Sequence, residues 1–351
     1  MKRILTVIAL LVTLCVSAFA QETLKVLAIG NSFSEDAVEY ELNPIAKGAG
    51  VKMIIGNMYI SGCTIETHVA NMKQNKADYS YRKIGVDGKK KTTEKYTLAQ
   101  ALKDEKWDII TVQQASGLSG MLESYAELPE LTSWIRENAP QAEIVFHQTW
   151  AYAKDATHPQ FVNYENNQSK MQSAIKYASV KGARQARIAR IIPCLDAIQT
   201  ARGGNPETSI TRDGYHLSPR FGRYVAAGTW FEYLTGKRLA ESTYRPKDVT
   251  DKELQSAQMA VQRAIYGWGP VGKNEPKVLT PQTEKGIYEG HKNYGKSIAV
   301  FGGSLSVNVE SNSAKQIWAN DLHSVVTTYG VGGAGFAKGQ GYDLQRQVDE
   351  A

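Results

Sequence analysis

The sequence predicts a three-layer α/β fold, in which a parallel sheet lies between two layers of helices. Short apolar runs recur along the first two hundred residues, and each has the length of a strand that is buried on both faces. Segments with helical spacing separate these runs, and such alternation indicates βαβ units with right-handed crossovers. The predicted strands are at 24–29, 51–59, 107–112, 142–146 and 186–192. Ligands in such sheets bind at the carboxyl ends of the strands.

The helices follow from the spacing of apolar residues between these strands. They are predicted at 36–46, 98–103, 122–138, 161–179, 221–233 and 252–266. A polar insert at 71–96 contains Asp87-Gly88, a dipeptide typical of a tight hairpin turn. The lysines that follow it are predicted to lie on a solvated hairpin tip rather than in an anion site.

The N-terminus has the three parts of a secretory signal peptide. A basic start at 1–3 precedes an apolar stretch at 4–16, and the small-x-small pattern ends at Ala20. The stretch is too short for a stable membrane span, and no second apolar span follows it. We therefore predict a secreted or periplasmic protein that is cleaved near Ala20. Cys15 would permit a lipid-anchored precursor, but the residue before it is not small, as a lipoprotein signal requires.

Charge and cysteine content restrict the partners and cofactors. Loss of Lys2 and Arg3 with the signal leaves 39 basic against 35 acidic residues, so the formal net charge falls from +6 to +4. This mild, dispersed charge argues against nucleic acid as a partner. Cys63 and Cys194 remain, and the sequence leaves their pairing open. No metal site and no nucleotide cofactor are predicted, because the sequence lacks His-Glu-x-x-His, clustered Cys/His spacing and a phosphate loop.

The organisation changes after about residue 235, where a polar segment, a helix and a Gly- and Pro-rich linker follow one another. Beyond the linker, residues 298–306 parallel residues 26–34. This repeat predicts the N-terminal fragment of a second domain of the same fold. The predicted units are a signal peptide at 1–20, the main domain at 21–240, a helix and linker at 241–295, and the fragment at 296–351.

A serine directly follows the first predicted strand, in Gly30-Asn31-Ser32-Phe33-Ser34. A chain that turns sharply from strand into helix lifts this hydroxyl to the rim of the sheet and directs backbone N–H groups at what it attacks. The alternative is a helix-capping serine without chemistry, and this segment alone does not decide between the two. As a nucleophile, the hydroxyl would need a base.

Asp213 and His216 precede the helix predicted at 221–233. An aspartate three residues before a histidine can hold the imidazole Nδ1–H while Nε2 accepts a proton from a serine. The alternative is an aspartate in surface ion pairs with Arg212 and Arg220. The positions of these groups favour a triad, because the serine follows the first strand while the acid and base precede the last helix of the domain.

These residues resemble the sequence blocks of the SGNH/GDSL hydrolases. The motif at 30–34 resembles the Gly-Asp-Ser-Leu nucleophile block, with Asn31 in place of aspartate, and Gly62 falls on the glycine of the second block. Asp213-x-x-His216 matches the block that carries the acid and the base. The resemblance implies a catalytic triad of Ser32, Asp213 and His216.

The chain is similar to one branch of this superfamily in particular, the DUF4886-like secreted proteins of Bacteroidetes. Its segments Ser-Gly-Cys-Thr-Ile-Glu-x-His and Val-Gln-Gln carry that similarity. The resemblance covers about residues 23–233 and implies the SGNH fold, a flavodoxin-like α/β/α sandwich. The repeat near the C-terminus resembles a second, partial SGNH unit.

The third block of the family is altered. It normally reads Gly-x-Asn-Asp, with an asparagine that donates to the oxyanion, whereas the strand here ends in Gln113-Gln114. A glutamine carries the same amide donor one methylene further out. The resemblance therefore implies an oxyanion hole formed by the backbone N–H groups of Ser32 and Gly62 and by Gln113, with Gln114 as the alternative.

Four further residues are candidates for substrate binding: Asn31, His68, His147 and Trp150. His68 lies a short helical stretch after Gly62, and His147 and Trp150 follow the fourth strand at the edge where ligands bind. Trp150 has the shape to stack on a sugar. The alternative for these residues is packing or surface exposure.

The sequence predicts a serine esterase that acts on O-acyl esters of carbohydrates, with acetyl as the expected acyl group and a small-molecule or glycan ester as the substrate. The substrate class rests on the resemblance and on secretion, not on a motif. One alternative is a non-catalytic secreted glycan-binding protein that retains the fold. Another is a lipase- or acyltransferase-type SGNH enzyme, which should have a long apolar groove.

Overall fold

The computed structural model of the chain describes residues 23–204 and 209–266, and the backbone of two further strands at 297–302 and 325–330. The predicted signal peptide at 1–20, the linker at 267–285 and the remainder of the C-terminal fragment lie outside the described residues. Among the residues described, no helix has the length and apolar character needed to cross a membrane.

The elements of the main domain follow one another in the alternating order that the sequence predicts. The strands are β1 Leu24–Gly30, β2 Met53–Tyr59, β3 Tyr79–Ile84, β4 Lys90–Tyr96, β5 Ile109–Val112, β6 Glu143–His147 and β7 Arg190–Ile192. The α-helices are α1 Ser32–Val38, α2 Leu42–Gly48, α3 Ile65–Lys73, α4 Leu98–Asp104, α5 Leu128–Asn138, α6 Gln168–Gln185, α7 Cys194–Gly204, α8 Gly222–Thr235 and α9 Asp251–Tyr266. Short 3-10 helices lie at Ser116–Leu118, Leu122–Tyr125, Pro159–Tyr164 and Leu239–Glu241.

The sheet has the order β4-β3-β2-β1-β5-β6-β7. The five strands from β2 to β7 in this order are parallel, and they are the five strands that the sequence predicts. The polar insert forms the hairpin β3–β4, which pairs antiparallel with β2 and extends that edge of the sheet. Its turn is closed by Gly88, whose φ is 82° and whose N–H donates to Gly85 O at 2.9 Å.

Both faces of β1, the central strand of the sheet, are buried, as expected for a strand between two helical layers. Val26 and Ala28 pack into a core that contains side chains of α1, α2, α7, α8 and α9. Leu27 and Ile29 pack into a second core with side chains of α3, α4 and α5. The predicted fold class, an α/β/α sandwich around a parallel sheet, is confirmed.

Two predicted helices are interrupted by proline. The helix predicted at 36–46 is in fact two helices, α1 and α2. Pro44 lies in the first turn of α2 and has no N–H for the hydrogen bond that a continuous helix needs there. The helix predicted at 122–138 begins as a 3-10 turn, and α5 starts only at Leu128, with Pro129 in its first turn.

The folded domain extends beyond the predicted boundary at residue 240. Helix α9 packs against α7 and α8, and its Ala257, Ala260 and Val261 are fully buried in the same core. Further along the chain, β8 Ser297–Gly302 and β9 Val325–Gly330 pair in parallel, as β1 and β2 do. The second domain that the sequence repeat predicts stays a prediction, because its other residues lie outside the described part of the chain.

Candidate active site

The turn between β1 and α1 places Ser32 at the carboxyl edge of the sheet. Asn31 caps the helix in an extended conformation, and its side chain accepts the Phe33 N–H at 3.0 Å. Gly30 ends the strand at a position where a Cβ would lie 2.6 Å from Ser34 Oγ and 2.9 Å from the Gln113 side chain. A larger residue at this position would displace the buried side chains of Ser34 and Gln113.

Ser32, His216 and Asp213 form a continuous chain of hydrogen bonds. His216 Nε2 lies 2.9 Å from Ser32 Oγ, and His216 Nδ1 lies 2.7 Å from Asp213 Oδ2. The other carboxylate oxygen of Asp213 accepts the backbone N–H groups of Tyr215 at 3.1 Å and of His216 at 2.7 Å. The structure thus brings together the three residues that the sequence singled out for a triad.

The carboxyl group of Asp213 is held in its charged form. Partial burial by itself would raise its pKa, but the hydrogen bonds from His216 and Tyr215 outweigh burial, and the net effect is a lowered pKa. An ionised Asp213 accepts the Nδ1–H of His216 and leaves Nε2 of the ring as an acceptor toward the serine. This is the tautomer that a general base requires.

The loop that carries Asp213 and His216 rests on the segment that follows β6. Gly214 O accepts the Ala153 N–H at 2.7 Å, and Trp150 Nε1 donates to Tyr215 O at 2.7 Å. The Trp150 ring also stacks on Phe33 at 4.3 Å between ring centroids. One buried indole therefore supports both the loop and the turn that carries Ser32.

Two backbone N–H groups near Ser32 are available to a ligand. Those of Ser32 and Gly62 have no hydrogen-bond partner among the described residues. Gly62 lies at the exposed tip of a turn with φ of 63°, and Cys63 N–H closes the turn on Ile60 O at 3.2 Å. Asn31 Nδ2 donates to Cys63 O at 3.0 Å and so joins this turn to the segment that carries Ser32.

Gln113 belongs to a buried hydrogen-bond network behind Ser32. Its Nε2 donates to Asn31 Oδ1 at 2.8 Å, and its Oε1 accepts from His147 Nδ1 at 2.7 Å. The Asn31 atom that accepts the Phe33 N–H must be the amide oxygen. The Gln113 atom that faces this oxygen must therefore be the amide nitrogen, which fixes the orientation of the Gln113 side chain. Only 2% of Gln113 is exposed, so it fixes Asn31 in place. Its predicted donation to an oxyanion stays a prediction.

The alternative oxyanion donor, Gln114, is wrong. Its Nε2 donates to the backbone oxygen and the hydroxyl of Ser124 at 2.7 and 3.0 Å. Its Oε1 accepts the N–H groups of Ile65 at 3.1 Å and of Ala115 at 2.7 Å. Both donor hydrogens are used within the protein, and the residue is 1% exposed.

The four residues predicted to bind substrate are buried, and that prediction is wrong. Asn31, His68, His147 and Trp150 are each at most 1% exposed. Their polar groups are engaged within the protein: Asn31 with Cys63 O, His147 with Gln113, and Trp150 with Tyr215 O. His68, for example, lies 2.9 Å from Tyr79 OH and stacks on the Tyr79 ring.

Sequence reasoning missed three residues beside the triad. Asp36 lies one helical turn after Ser32, a spacing that places both on one face of α1 and was a signal available in the sequence. Tyr215 packs its ring on His216 at 4.4 Å, and His158 packs on Tyr215 at 4.8 Å between centroids. His158 precedes a proline in a 3-10 segment far from the motifs, and no local signal pointed to it.

Cys63 and Cys194 are both free and buried. Burial raises the pKa of the Cys63 thiol to about 12, so it is protonated at neutral pH although it neighbours Gly62. In the described part of the chain, no group of three or more His, Cys, Asp and Glu side chains is placed to hold a metal ion.

Comparison with known proteins identifies the family. The model of a domain of unknown function, DUF4886, matches residues 25–264. The chain belongs to the DUF4886 family. A crystal structure of a DUF4886 protein from Bacteroides uniformis ATCC 8492 is 49% identical, with a TM-score of 0.68, over 70% of this chain and 95% of that one. The predicted DUF4886-like assignment is thereby confirmed, and a search of curated proteins returned no match.

More distant structures also resemble this DUF4886 chain. A candidate SGNH hydrolase from Slackia heliotrinireducens is 19% identical with a TM-score of 0.41, over 60% of this chain and 99% of that one. An acetyl xylan esterase is 11% identical with a TM-score of 0.40, over 60% of this chain and 98% of that one. At such identities and scores these likenesses carry no conclusion about activity.

Two buried histidines make the stability of the DUF4886 domain sensitive to acid. Burial lowers the pKa of His68 and of His147 from 6.5 to about 3. The unfolded chain takes up a proton on each ring as the pH falls below about 6.5, whereas the folded protein does not. Because the unfolded state binds more protons in this window, the free energy of unfolding falls with pH by about 1.4 kcal/mol per pH unit for each histidine.

We expect the substitution His147→Asn to flatten this dependence. An asparagine can keep an N–H donor toward Gln113 Oε1, and it does not titrate. Between roughly pH 6 and pH 4, the slope of the free energy of unfolding against pH should be smaller in the variant than in the wild type. The difference should be about 1.4 kcal/mol per pH unit. Urea denaturation at a series of pH values measures both slopes.

His158→Asn provides the control for this measurement. His158 is half-buried, so its removal should change the slope much less than removal of His147. Equal slopes for His147→Asn and the wild type would contradict a neutral, buried His147.

Proposed function

We propose that this DUF4886 protein is a serine esterase of the SGNH type that hydrolyses O-acyl esters, with O-acetylated carbohydrates as the substrate class. The observation that carries the proposal is the hydrogen-bonded chain from Ser32 Oγ through His216 to Asp213, with distances of 2.9 and 2.7 Å. A hydroxyl, a base and a carboxylate in this order form the arrangement that activates a serine for attack on an ester.

Acylation begins when Ser32 Oγ attacks the ester carbonyl carbon and His216 Nε2 takes up the hydroxyl proton. Asp213 stabilises the imidazolium that forms, through its bond to Nδ1. The negative charge that develops on the carbonyl oxygen is met by the N–H groups of Ser32 and Gly62. The C–O bond to the alcohol then breaks, His216 returns the proton to the leaving oxygen, and an acyl-serine remains.

Deacylation repeats these steps with water as the nucleophile. His216 removes a proton from the water as its oxygen attacks the acyl-serine, and it returns the proton to Ser32 Oγ as that bond breaks. The products are a carboxylic acid and the free serine.

The surroundings of His216 support a carbohydrate as the alcohol part of the ester. The rings of Tyr215 and His158 are half-buried, so they offer apolar surface of the kind that packs on a sugar face. Gln160 N–H donates to His158 Nδ1 at 3.2 Å, so in the neutral ring Nε2 carries the proton and can donate to a hydroxyl. Burial and the neighbouring His216 lower the pKa of His158 and favour that neutral form.

The lipase-type alternative receives no comparable support. The large hydrophobic side chains that are exposed in the described residues lie singly on separate elements: Val86, Val162, Tyr177 and Met259. Single exposed apolar residues are normal on protein surfaces, and they do not form a groove for a long acyl chain.

Hydrolysis assays and active-site labelling test the proposal. The chain from residue 21 to 351 is incubated with p-nitrophenyl esters from acetyl to octanoyl, and with O-acetylated and de-acetylated forms of the same oligosaccharide. We expect turnover that is fastest for acetyl, acetate release from the acetylated sugar alone, and one fluorophosphonate adduct, located at Ser32 by mass spectrometry. Absence of both turnover and adduct would contradict the esterase and favour the non-catalytic glycan-binding alternative.

A further inference from the structure

A buried carboxylate joins the two segments that carry the triad. Asp36 lies on α1, one turn after Ser32, and its side chain is fully buried. Its Oδ2 accepts the backbone N–H of Leu217 at 2.8 Å. Leu217 directly follows His216, so this bond connects the helix that begins with Ser32 to the loop that carries the imidazole.

Two arginines complete the surroundings of Asp36. Arg212 Nη1 lies 3.0 and 3.1 Å from its two carboxylate oxygens, and Arg223 Nε donates to it at 2.7 Å. Arg212 directly precedes Asp213, and it also donates to Leu217 O through its side chain and to His216 O through its backbone N–H at 2.9 Å. Asp36 therefore fastens both ends of the Asp213–His216 segment to α1.

We propose that Asp36 is a positioning residue that sets the distance between His216 Nε2 and Ser32 Oγ, an inference that rests on the proposed esterase function. The two atoms belong to segments 184 residues apart in the chain. Trp150 and Ala153 belong to the segment after β6 and bind the loop to that segment. Asp36 instead binds the loop to α1, the helix that begins with Ser32. Hydrogen bonds that involve charged groups are shorter and stronger than those between neutral groups. The bonds of Asp36 can therefore fix the distance between His216 Nε2 and Ser32 Oγ.

Asp36 acts only through other residues. Its side chain is 0% exposed, so it cannot touch a substrate. The bond between His216 and Asp213 lies within the loop and does not depend on Asp36. Loss of Asp36 should therefore leave the imidazole and its carboxylate paired but poorly aligned with Ser32. A misalignment of about 1 Å in such a site typically lowers the rate by about a hundredfold.

Asp36→Asn tests this role, and Glu232→Gln is its matched control. Glu232 is also fully buried, and it accepts a backbone N–H from Leu239 at 2.8 Å and an arginine, Arg238, at 3.1 Å. It lies on α8, and these hydrogen bonds join it to Leu239 and Arg238 rather than to the triad loop. Both substitutions remove one buried negative charge from similar surroundings, but only Asp36→Asn replaces an acceptor oxygen that faces the arginines and the backbone N–H bordering the triad loop.

We expect Asp36→Asn to lower kcat and the rate of fluorophosphonate labelling by about ten- to a hundredfold, with KM changed less than about twofold. Glu232→Gln should keep both rates within about twofold of the wild type, even if the two variants lose similar stability toward urea. Arg212→Gln is a milder second variant, because the Arg212 side chain is 35% exposed, and it should lose about three- to tenfold in kcat.

The failure of this inference is distinct from a failure of the esterase proposal. An inert, unlabelled wild type would overturn the esterase proposal. NMR of ¹⁵N-histidine protein would then still test the alignment, through a shift of the His216 Nε2 signal in Asp36→Asn but not in Glu232→Gln. With an active wild type, wild-type rates in folded Asp36→Asn and Arg212→Gln, or equal losses in Asp36→Asn and Glu232→Gln, would overturn the positioning role.

Discussion

Replacing Ser32 with alanine is expected to lower kcat for acetyl ester hydrolysis by about four to six orders of magnitude. The substitution removes the hydroxyl that lies 2.9 Å from His216 Nε2, and with it the acyl-serine intermediate. The backbone N–H groups of Ser32 and Gly62 remain, so a small residual rate above that of water should persist. Stopped-flow and steady-state assays with p-nitrophenyl acetate measure the loss.

Ser61→Ala is the control for the Ser32 variant. Ser61 is exposed on the neighbouring turn, so it shows whether any accessible serine near the site takes up the phosphonate. Turnover and labelling should be retained in Ser61→Ala and absent in Ser32→Ala. Hydrolysis that survives intact in Ser32→Ala would exclude this serine as the nucleophile.

Asp213→Asn is expected to lower kcat by about three to four orders of magnitude, although the two side chains have the same shape. The backbone N–H groups of Tyr215 and His216 both donate to Asp213 Oδ1, so the oxygen of an asparagine must occupy that position. Its NH₂ group would then face His216 Nδ1 and force the imidazole proton onto Nε2. In that tautomer the ring cannot accept the Ser32 proton.

Asp155→Asn is the matched control for this prediction, because Asp155 is an exposed carboxylate on the segment that follows β6. The kcat of Asp155→Asn should stay within about twofold of that of the wild type. Steady-state kinetics on both variants, with unfolding curves to show that each is folded, make the comparison. A loss of only a few-fold in Asp213→Asn would mean that the carboxylate does not select the tautomer of His216.

The residues of the proposed triad were predictable because each lies in a local pattern. Ser32 follows an apolar strand and a glycine. Asp213 lies three residues before His216, a spacing at which one turn of the chain brings the carboxylate to the imidazole. The alternation of apolar runs and helical segments predicts which strands are parallel, and parallel strands bring their carboxyl ends to one edge. Local order and strand topology together are enough to place Ser32 and His216 near each other.

The burial of the predicted substrate-binding residues could not be predicted in this way. His147 is at the end of β6 and Trp150 just beyond it, but whether such a side chain points to solvent or into a helix layer depends on the pleat and on what packs above it. The same holds for Gln114, whose amide is used entirely by Ser124 and by nearby backbone N–H groups. Sequence spacing alone contains no information on these distant partners.

The sequence by itself determined the α/β sandwich, the DUF4886 resemblance and the three side chains of the proposed triad, because strand alternation and short motifs are encoded within a few neighbouring residues. Only the tertiary structure decided that Asp36 binds the loop of His216, since its partners lie more than a hundred and seventy positions away in the chain. It also decided that the polar insert extends the sheet beside β2. Contacts of this kind depend on which surfaces meet when the helices pack, and packing is a property of the whole domain.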